Sequence, residues 1–190
     1  FPVEDIMTLR KLGSEFQGHP NMHKVPGVEM STGSLGQGFS VCVGMALASK
    51  LDDDGSRVFT LIGDGELQEG LVWEAAMAAG HYKLNNLVAF VDWNGLQIDG
   101  ENDKVMTVRP IDEKFKAFGW HVQVIDGHNF DEIFAALDET KKVSDKPSII
   151  IAHTHKGQGV SFMKDNAGWH GKAPNEEQAK QAVEELGGQW

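Results

Sequence analysis

The residues best suited to chemistry in this chain follow two of its apolar segments. A Gly-Asp-Gly turn centred on Asp64 comes directly after the apolar residues 58–62, and Asn94 follows the apolar residues 87–91. Carboxylate and amide oxygens are ligands for a hard cation such as Mg2+, which in proteins often binds together with phosphate. Glycines let backbone N–H groups approach phosphate oxygens closely. The two turns therefore predict a site for a magnesium-bridged diphosphate.

These side chains can meet only if their segments are neighbouring parallel strands. A strand–helix–strand unit separates Asp64 from Asn94, which would place both at the carboxyl ends of adjacent strands, where open α/β sheets bind ligands. Short apolar runs typical of strands cover residues 58–62, 87–91, 120–125 and 148–152, and helical patterns cover residues 34–50, 69–79, 112–118 and 175–186. We therefore expect one α/β domain over residues 1–190, with a mainly parallel sheet flanked by helices.

Three local patterns complete the predicted layout. Residues 1–12 carry Ile6, Leu9 and Leu12 on one stripe, which predicts a helix. Residues 13–33 form a long polar connection of the kind that usually serves a functional site. Asn129 and Glu132 have the spacing of a capping box, which predicts a helix that begins after Asn129.

The composition excludes several classes of function. A formal net charge of −11 over 190 residues disfavours nucleic-acid binding and attachment to anionic membranes. The lone Cys42 excludes a disulfide framework, and we expect it to be an inert, packed thiol in a cytoplasmic protein. No apolar run approaches the roughly 20 residues of a membrane span. The 22 glycines exceed the usual share and indicate several tight backbone turns.

Neither common nucleotide-binding fingerprint is present: there is no P-loop sequence, and no strand precedes the glycine-rich residues 33–38. The sequence instead resembles the N-terminal, diphosphate-binding part of transketolase, in the thiamine diphosphate enzyme superfamily. The matching motifs are QGHP at 17–20, STGSLGQG at 31–38, GDGELQEG at 63–70, NGLQIDG at 94–100 and WHGKAP at 169–174. The end of the chain soon after Gly187 is similar to the N-terminal subunit of a split, two-chain transketolase.

This resemblance assigns a role to each residue of the candidate site. Asp64 and Asn94 would bind Mg2+, for which Ca2+ or Mn2+ could substitute, and the backbone carbonyl of Leu96 would be a third ligand. The residues implied to contact thiamine diphosphate are Gly33, Ser34, Leu35, Gly63, Gly65, Glu66, Asn94 and His170.

The resemblance also implies catalytic roles for two histidines and two glutamates. His19 would contact the donor ketose, and His170 would contact cofactor and substrate and assist proton transfer. Glu69 and Glu74 resemble the acids that couple two cofactor sites across a dimer interface. Simpler interpretations stay open: His19 as a loop residue and His170 stacked on Trp169. The simpler interpretation of Glu69 is that it complements the helix dipole, and that of Glu74 is that it lies on a solvated helix face.

The other histidines carry weaker signals. His153 and His155 alternate along a predicted strand, a spacing that can chelate zinc, but no third ligand is evident, so we expect a strand-end pair with one of the two near the cofactor. The remaining histidines are interpreted as structural: His23, His81, His121 and His128.

The activity implied by the resemblance is transfer of a two-carbon ketol unit from a ketose to an aldose. Sugar phosphates are the expected substrates, with sulfo-sugars and other ketoses left open. The activating Glu of the family lies in a pyrimidine-binding domain that nothing here resembles, so we expect an oligomer with a C-terminal partner subunit. Two upstream family histidines have no counterpart because the chain begins at Phe1, so it is either part of a longer protein or has lost part of the site.

Two alternatives to this activity remain at the level of the sequence. The first is another thiamine diphosphate enzyme, similar to deoxyxylulose-phosphate synthase or to the first component of a ketoacid dehydrogenase. The second is a non-catalytic remnant of the domain. The motif GDGELQEG at 63–70 and the WHG segment at 169–171 favour transketolase over both.

Overall fold

The computed structural model describes all 190 residues of the chain. Its α-helices are α1 (Gln37–Asp52), α2 (Gly70–His81), α3 (Asn102–Val105), α4 (Ile111–Ala117), α5 (Phe130–Thr140) and α6 (Glu176–Glu185). Its strands are β1 (Val58–Gly63), β2 (Leu87–Trp93), β3 (Leu96–Gln97), β4 (Gly100–Glu101), β5 (His121–Asp126) and β6 (Ser148–His153). Short 3-10 helices cover Val3–Thr8, Gly65–Gln68 and Ala167–Trp169. None of the helices is long and apolar enough to cross a membrane.

Four strands form one parallel sheet in the order β1-β2-β6-β5, and β3 pairs with β4 in a separate antiparallel hairpin. This confirms the predicted mainly parallel sheet. Gly63 of β1 lies opposite Asp92 of β2, and Asp92 lies opposite Ala152 of β6. The carboxyl ends of these three strands therefore reach the same edge of the sheet, and the loops that follow them begin side by side.

Helices cover both faces of the sheet, which explains the uninterrupted apolar runs in its two central strands. On one face, Val91 and Ile151 join residues of α1, α2 and α4 in the main core. On the other face, Val88 and Ile150 pack with Ala136 of α5. Because successive side chains of a strand point to opposite faces, both faces of these strands need apolar residues, which explains the consecutive apolar residues 87–91 of β2 and 149–152 of β6.

The start of α5 follows the prediction except in one detail. Asn129 Oδ1 accepts hydrogen bonds from the N–H groups of Asp131 and Glu132, at 3.0 and 3.3 Å. In a capping box, the Glu132 side chain would accept a hydrogen bond from the backbone N–H of Asn129. Here the Glu132 carboxylate accepts instead from the Asn129 side-chain amide and from the backbone N–H of Asp126. Glu132 therefore ties the start of the helix to the end of β5 as well as to its cap.

The predicted helix over residues 1–12 is wrong. Only Val3–Thr8 turns, as a 3-10 helix, and the side chains of Ile6, Leu9 and Leu12 are exposed. An isolated helix of this length is marginal in water unless its apolar face packs against something. Here the apolar stripe has no such surface, and the 3-10 helix ends at Thr8, because Leu9 turns to a ψ of 127°.

Two further boundaries differ from the prediction. Helix α1 begins at Gln37 rather than at residue 34, because Gly36 takes a left-handed conformation with a φ of 80°. Strand β6 ends at His153, so His155 lies beyond the strand. The two histidines therefore do not share a strand face.

Candidate functional site

The carboxylate of Asp64 joins the turns that follow β1 and β2. Asp64 is only 1% exposed, and its backbone N–H donates to the carbonyl of Asp92 at 3.1 Å. Its side chain accepts hydrogen bonds from the N–H of Gly65 at 2.9 Å and from the N–H of Gly95 at 2.6 Å. These bonds hold the Asp64 turn beside the turn that begins at Asn94.

Burial changes the electrostatic state of Asp64. Loss of hydration raises the pKa of its carboxyl group above the ordinary value, and the nearby Asp92 carboxylate raises it further. The N–H groups of Gly95 and Gly65 and the amide of Asn102 act in the opposite direction without cancelling the effect of burial. A cation beside this carboxylate would supply the counter-charge that the protein itself does not provide.

The amide of Asn94 is held at both of its ends. Its Oδ1 accepts a hydrogen bond from the N–H of Leu96 at 3.0 Å, and its Nδ2 donates to Asp92 Oδ2 at 3.3 Å. Asp92 Oδ1 in turn accepts a hydrogen bond from the hydroxyl of Thr154. Gly95, with a φ of 75°, allows the tight turn between Asn94 and Leu96. The Asn94 amide is therefore oriented by groups of its own segment, and Thr154 of the loop after β6 supports it through Asp92.

Asp64, Asn94 and Leu96 offer a carboxylate, an amide oxygen and a backbone carbonyl along one cleft. Oxygen donors of this kind suit Mg2+, Ca2+ or Mn2+. Mg2+ prefers six ligands and commonly completes its shell with water and phosphate oxygens. The donor set and the buried carboxylate thus fit the predicted cation and leave room for a diphosphate.

The cleft beside these residues has a volume of about 410 Å³. Most of the residues predicted for the site line it: Leu35, Gly63, Asp64, Gly65, Glu66, Glu69, Asn94, Leu96 and His170. The structure therefore brings together residues from four separate segments of the chain.

The cleft also contains residues that were not predicted. Lys156 is the only lysine or arginine that lines it. Gln68 donates to Gln97 Oε1 at 2.6 Å and so links the 3-10 helix after β1 to the β3–β4 hairpin. The available signal for Lys156 was its position just beyond an apolar strand, at the sheet edge where the loops gather.

Glu66 braces the loops around the cleft. Its Oε1 accepts from the N–H of Gly36 at 2.7 Å, and its Oε2 accepts from the N–H of Gly63 at 3.1 Å. Both carboxylate oxygens are therefore bound to backbone groups of this chain. Glu66 shapes the cleft by holding the start of α1 against the end of β1.

Gly33 and Ser34 line a second cleft, of about 470 Å³, which shares Leu35 and Glu66 with the first. His19 lies against Gly33, and a Cβ added to Gly33 would overlap the imidazole ring. Gly33 also has a φ of 141°, which side chains rarely adopt. His19, Gly33 and Ser34 therefore adjoin the Asp64 cleft through Leu35 and do not line it themselves.

The thiol predicted to be inert also lines this second cleft. Cys42 is half-buried, and burial raises its pKa above the ordinary value. Because the thiolate is the reactive form, a raised pKa keeps a cysteine unreactive.

The two predicted glutamates lie in different surroundings. Glu69 is exposed and lines the cleft just before α2, where its side chain makes no capping hydrogen bond. Glu74 is exposed on α2 and lies outside the cleft lining. The structure therefore does not bring the two together within this chain.

His170 reaches the cleft from the segment after β6. It follows the 3-10 helix Ala167–Trp169, and its backbone N–H donates to the carbonyl of Ala167 at 2.9 Å. The Trp169 ring packs on Phe162 at 5.3 Å and has the Lys172 ammonium over it at 4.7 Å. Trp169 is thus packed by residues other than His170, and the imidazole is exposed at the cleft.

The predicted strand-end pair of histidines separates into two contacts. His153 stacks on Trp93 with ring centroids 4.1 Å apart. His155 pairs with Asp165 at 2.9 Å, and its backbone N–H donates to Nε2 of His128 at 2.8 Å. No group of three His, Cys, Asp or Glu side chains is arranged to hold a metal, so the zinc interpretation gains no third ligand.

Comparison with known proteins relates nearly the whole chain to one protein family. The family model for the transketolase, thiamine diphosphate binding domain matches residues 1–189. The chain is 47% identical over 186 residues to a 6-deoxy-6-sulfo-D-fructose transketolase subunit of Clostridium sp. (strain MSTE9), covering 98% of this chain and 68% of that protein. It is 46% identical to one of the apulose-4-phosphate transketolase subunits of Phocaeicola vulgatus, covering 94% of this chain and 63% of that protein.

Solved transketolases share the same fold. The enzyme of Campylobacter jejuni matches with a TM-score of 0.91 and 36% identity, over 98% of this chain and 30% of that one. A Pichia stipitis transketolase in complex with xylulose-5-phosphate matches with a TM-score of 0.93 and 35% identity, over 100% of this chain and 29% of that one. The chain thus spans about two thirds of the two subunits and less than a third of these enzymes. The matched domain, the related subunits and the shared fold place this chain in the family of transketolase thiamine diphosphate binding domains.

Proposed function

We propose that the chain is the cofactor-binding subunit of a two-chain transketolase, which transfers a two-carbon ketol unit from a ketose to an aldose. The observation that carries this proposal is the bond from the N–H of Gly95 to Asp64, which sets two oxygen-bearing turns side by side along a cleft. Membership of a thiamine diphosphate binding family supports the cofactor, and the relatives named as transketolase subunits support the reaction.

In this proposal, Asp64, Asn94 and the Leu96 carbonyl hold Mg2+, for which Ca2+ or Mn2+ can substitute. The N–H of Gly65 and the Asn94 side chain hold the diphosphate. Burial of Asp64 supports this assignment, because a buried carboxylate gains more from a cation than a solvated one does. When bound, thiamine diphosphate supplies the electron sink that makes the bond next to the ketose carbonyl cleavable.

The chain's own residues would orient the substrate and move protons. His170 is exposed along the cleft, where an imidazole is placed to donate or accept a proton at a bound substrate. Lys156 adds a positive charge from the loop after β6. We assign His19, held against Gly33, to the terminal hydroxyl of the donor ketose.

The exposed apolar residues at the rim of the cleft favour the presence of a partner subunit. Leu35 and Ile98 line the cleft and are 55% and 71% exposed, and apolar surface beside a ligand site is commonly covered by another chain. We assign this cover to a C-terminal subunit with a pyrimidine-binding domain and the activating Glu. Glu69, at the rim, and Glu74, on α2, would then couple two cofactor sites across an interface in the oligomer.

The charged residues in the cleft indicate how the donor sugar would be bound. The two subunit relatives are named for 6-deoxy-6-sulfo-D-fructose and apulose-4-phosphate, which are both anionic sugars. Lys156 is the only lysine or arginine in this cleft. We therefore assign binding of the anionic end of the donor, a phosphorylated or sulfonated ketose, to cationic residues of the partner subunit.

A two-subunit assay tests this function. The chain is mixed with its C-terminal subunit, thiamine diphosphate and Mg2+, and two-carbon transfer is followed from xylulose 5-phosphate and from 6-deoxy-6-sulfo-D-fructose. Transfer that requires both subunits is the expected result. Decarboxylation of pyruvate without ketol transfer would support a ketoacid dehydrogenase component instead. Failure to bind the cofactor, with or without the partner, would support a non-catalytic domain.

A further inference from the structure

Asn102, the first residue of α3, has a buried side chain with no hydrogen-bond partner. It is only 3% exposed, and neither Oδ1 nor Nδ2 of its amide makes a hydrogen bond. Buried amides in native proteins are nearly always paired, so each exception calls for an explanation. A buried amide without partners is suited to a hydrogen bond with a water or ion that arrives with a ligand.

The amide of Asn102 faces the cation site. The backbone N–H of Asn102 donates to the carbonyl of Gly95 at 2.9 Å, and Gly95 is the residue whose own N–H binds Asp64. Asn102 Oδ1 lies 3.9 Å from the position that a Cβ on Gly65 would occupy. The amide is also close enough to the Asp64 carboxylate to stabilise its charged form.

The β3–β4 hairpin delivers Asn102 to this position. Leu96 pairs with Glu101, and Gln97 pairs with Gly100, so the chain reverses directly after the candidate ligand Leu96. The reversal returns Asn102 to the Asp64 turn. The same short element therefore supplies a candidate cation ligand at its start and a buried amide at its end.

We propose that Asn102 is a positioning residue of the cation site: its amide lies beside the Asp64 carboxylate, and its Oδ1 accepts a hydrogen bond from a water bound to the cation. This inference rests on the proposed function, since it needs a hydrated cation at Asp64. Mg2+ and Mn2+ keep several water ligands in proteins. Removal of a residue that hydrogen-bonds to the metal ligands without touching the metal typically weakens metal binding about 10-fold to 100-fold.

Ser148 provides a matched control. Its hydroxyl is also buried and unpaired, but it begins β6, at the end of the sheet opposite the cleft. If an unpaired buried polar group were only a structural defect, Asn102 and Ser148 would behave alike. Removal of either group would leave cation binding unchanged.

The test is a Mn2+ titration of the chain together with the proposed C-terminal subunit and thiamine diphosphate, followed by the electron paramagnetic resonance signal of free Mn2+. Asn102→Leu and Asn102→Ala are each expected to weaken Mn2+ binding about tenfold, and Ser148→Ala is expected to leave it unchanged. Asn102→Ala covers the case in which a leucine does not fit. Melting temperatures of the same samples report whether each variant is folded.

Different results would contradict the role of Asn102 and the cation site itself. Tight Mn2+ binding by wild type, with unchanged affinity in both Asn102 variants, would overturn the positioning role alone. A wild type that binds Mn2+ no better than Asp64→Ala would overturn the cation site of the proposed function, and the role of Asn102 with it.

Discussion

The N–H of Gly95 donates to the Asp64 carboxylate at 2.6 Å, so the turn after β2 is fastened to the turn after β1 by a buried acid. A bond to a charged group of this kind is stronger than one between neutral groups. It holds two loops from separate strands at one distance before any ligand is present. The candidate site is therefore largely preformed on the cation side.

Glu66 offers a test of the brace between α1 and β1. Glu66→Gln keeps the shape of the side chain but leaves only one oxygen to accept from Gly36 and Gly63. We expect the free energy of unfolding to fall by about 1.5–3 kcal/mol, the value of one hydrogen bond to a charged group. Urea denaturation measures this change.

Glu69→Gln is the matched control for that experiment. Glu69 lies in the same loop but is exposed and makes no capping bond, so the change is expected to stay within about 0.5 kcal/mol. Equal effects of the two substitutions would contradict the bracing role of Glu66.

Thr154 tests how the Asn94 amide is oriented. Its hydroxyl donates to Asp92, and Asp92 accepts from Asn94. Thr154→Val removes the hydroxyl at nearly constant volume, and we expect thiamine diphosphate affinity in Mg2+ to fall about tenfold. Thr154→Ser keeps the donor and should bind like wild type in titration calorimetry. Similar binding by the valine and serine variants would show that the hydroxyl has no such role.

Glu185 makes the attachment of α6 dependent on pH. Its carboxylate accepts from the N–H and the hydroxyl of Ser161, at 2.5 and 2.7 Å, and these bonds lower its pKa. A lowered pKa in the folded state means that the stabilisation is complete above the ordinary glutamate pKa of about 4.3 and is lost as the pH falls through the lowered value.

We therefore expect hydrogen exchange in α6 to rise, relative to the rest of the chain, as the pH falls below about 4. Glu185→Gln should show raised exchange in α6 already at pH 7. The neighbouring Glu184→Gln should match wild type, because no hydrogen bond of the Glu184 side chain is present to lose. Exchange in α6 that does not respond to Glu185→Gln would rule out this attachment.

The parallel sheet and the meeting of the Asp64 and Asn94 turns could be predicted from the sequence. Both follow from local rules: apolar runs of strand length, one crossover between them, and ligand-bearing loops at the carboxyl ends of parallel strands. The failed helix at residues 1–12 shows the limit of such rules. Periodicity in Ile6, Leu9 and Leu12 indicates an apolar stripe, but whether it becomes a helix depends on a surface to pack against.

Other parts of the site depend on contacts between residues far apart in sequence. The Glu66 bond to Gly36, the contact of His19 with Gly33 and the unpaired amide of Asn102 all require the three-dimensional arrangement of the loops. Composition and spacing do not determine these contacts. They are visible only once the hairpin and the long connection are placed on the sheet.

The most direct test of the account is cation-dependent binding of thiamine diphosphate to the chain together with the proposed C-terminal subunit, measured by titration calorimetry. Wild type is expected to bind in Mg2+ and not in EDTA. Asp64→Ala should lose the Mg2+-dependent binding, because it removes the only buried carboxylate of the donor set. Asp99→Ala, an exposed acid in the same cleft, should retain it. Mg2+-dependent binding that survives in Asp64→Ala would contradict the central claim.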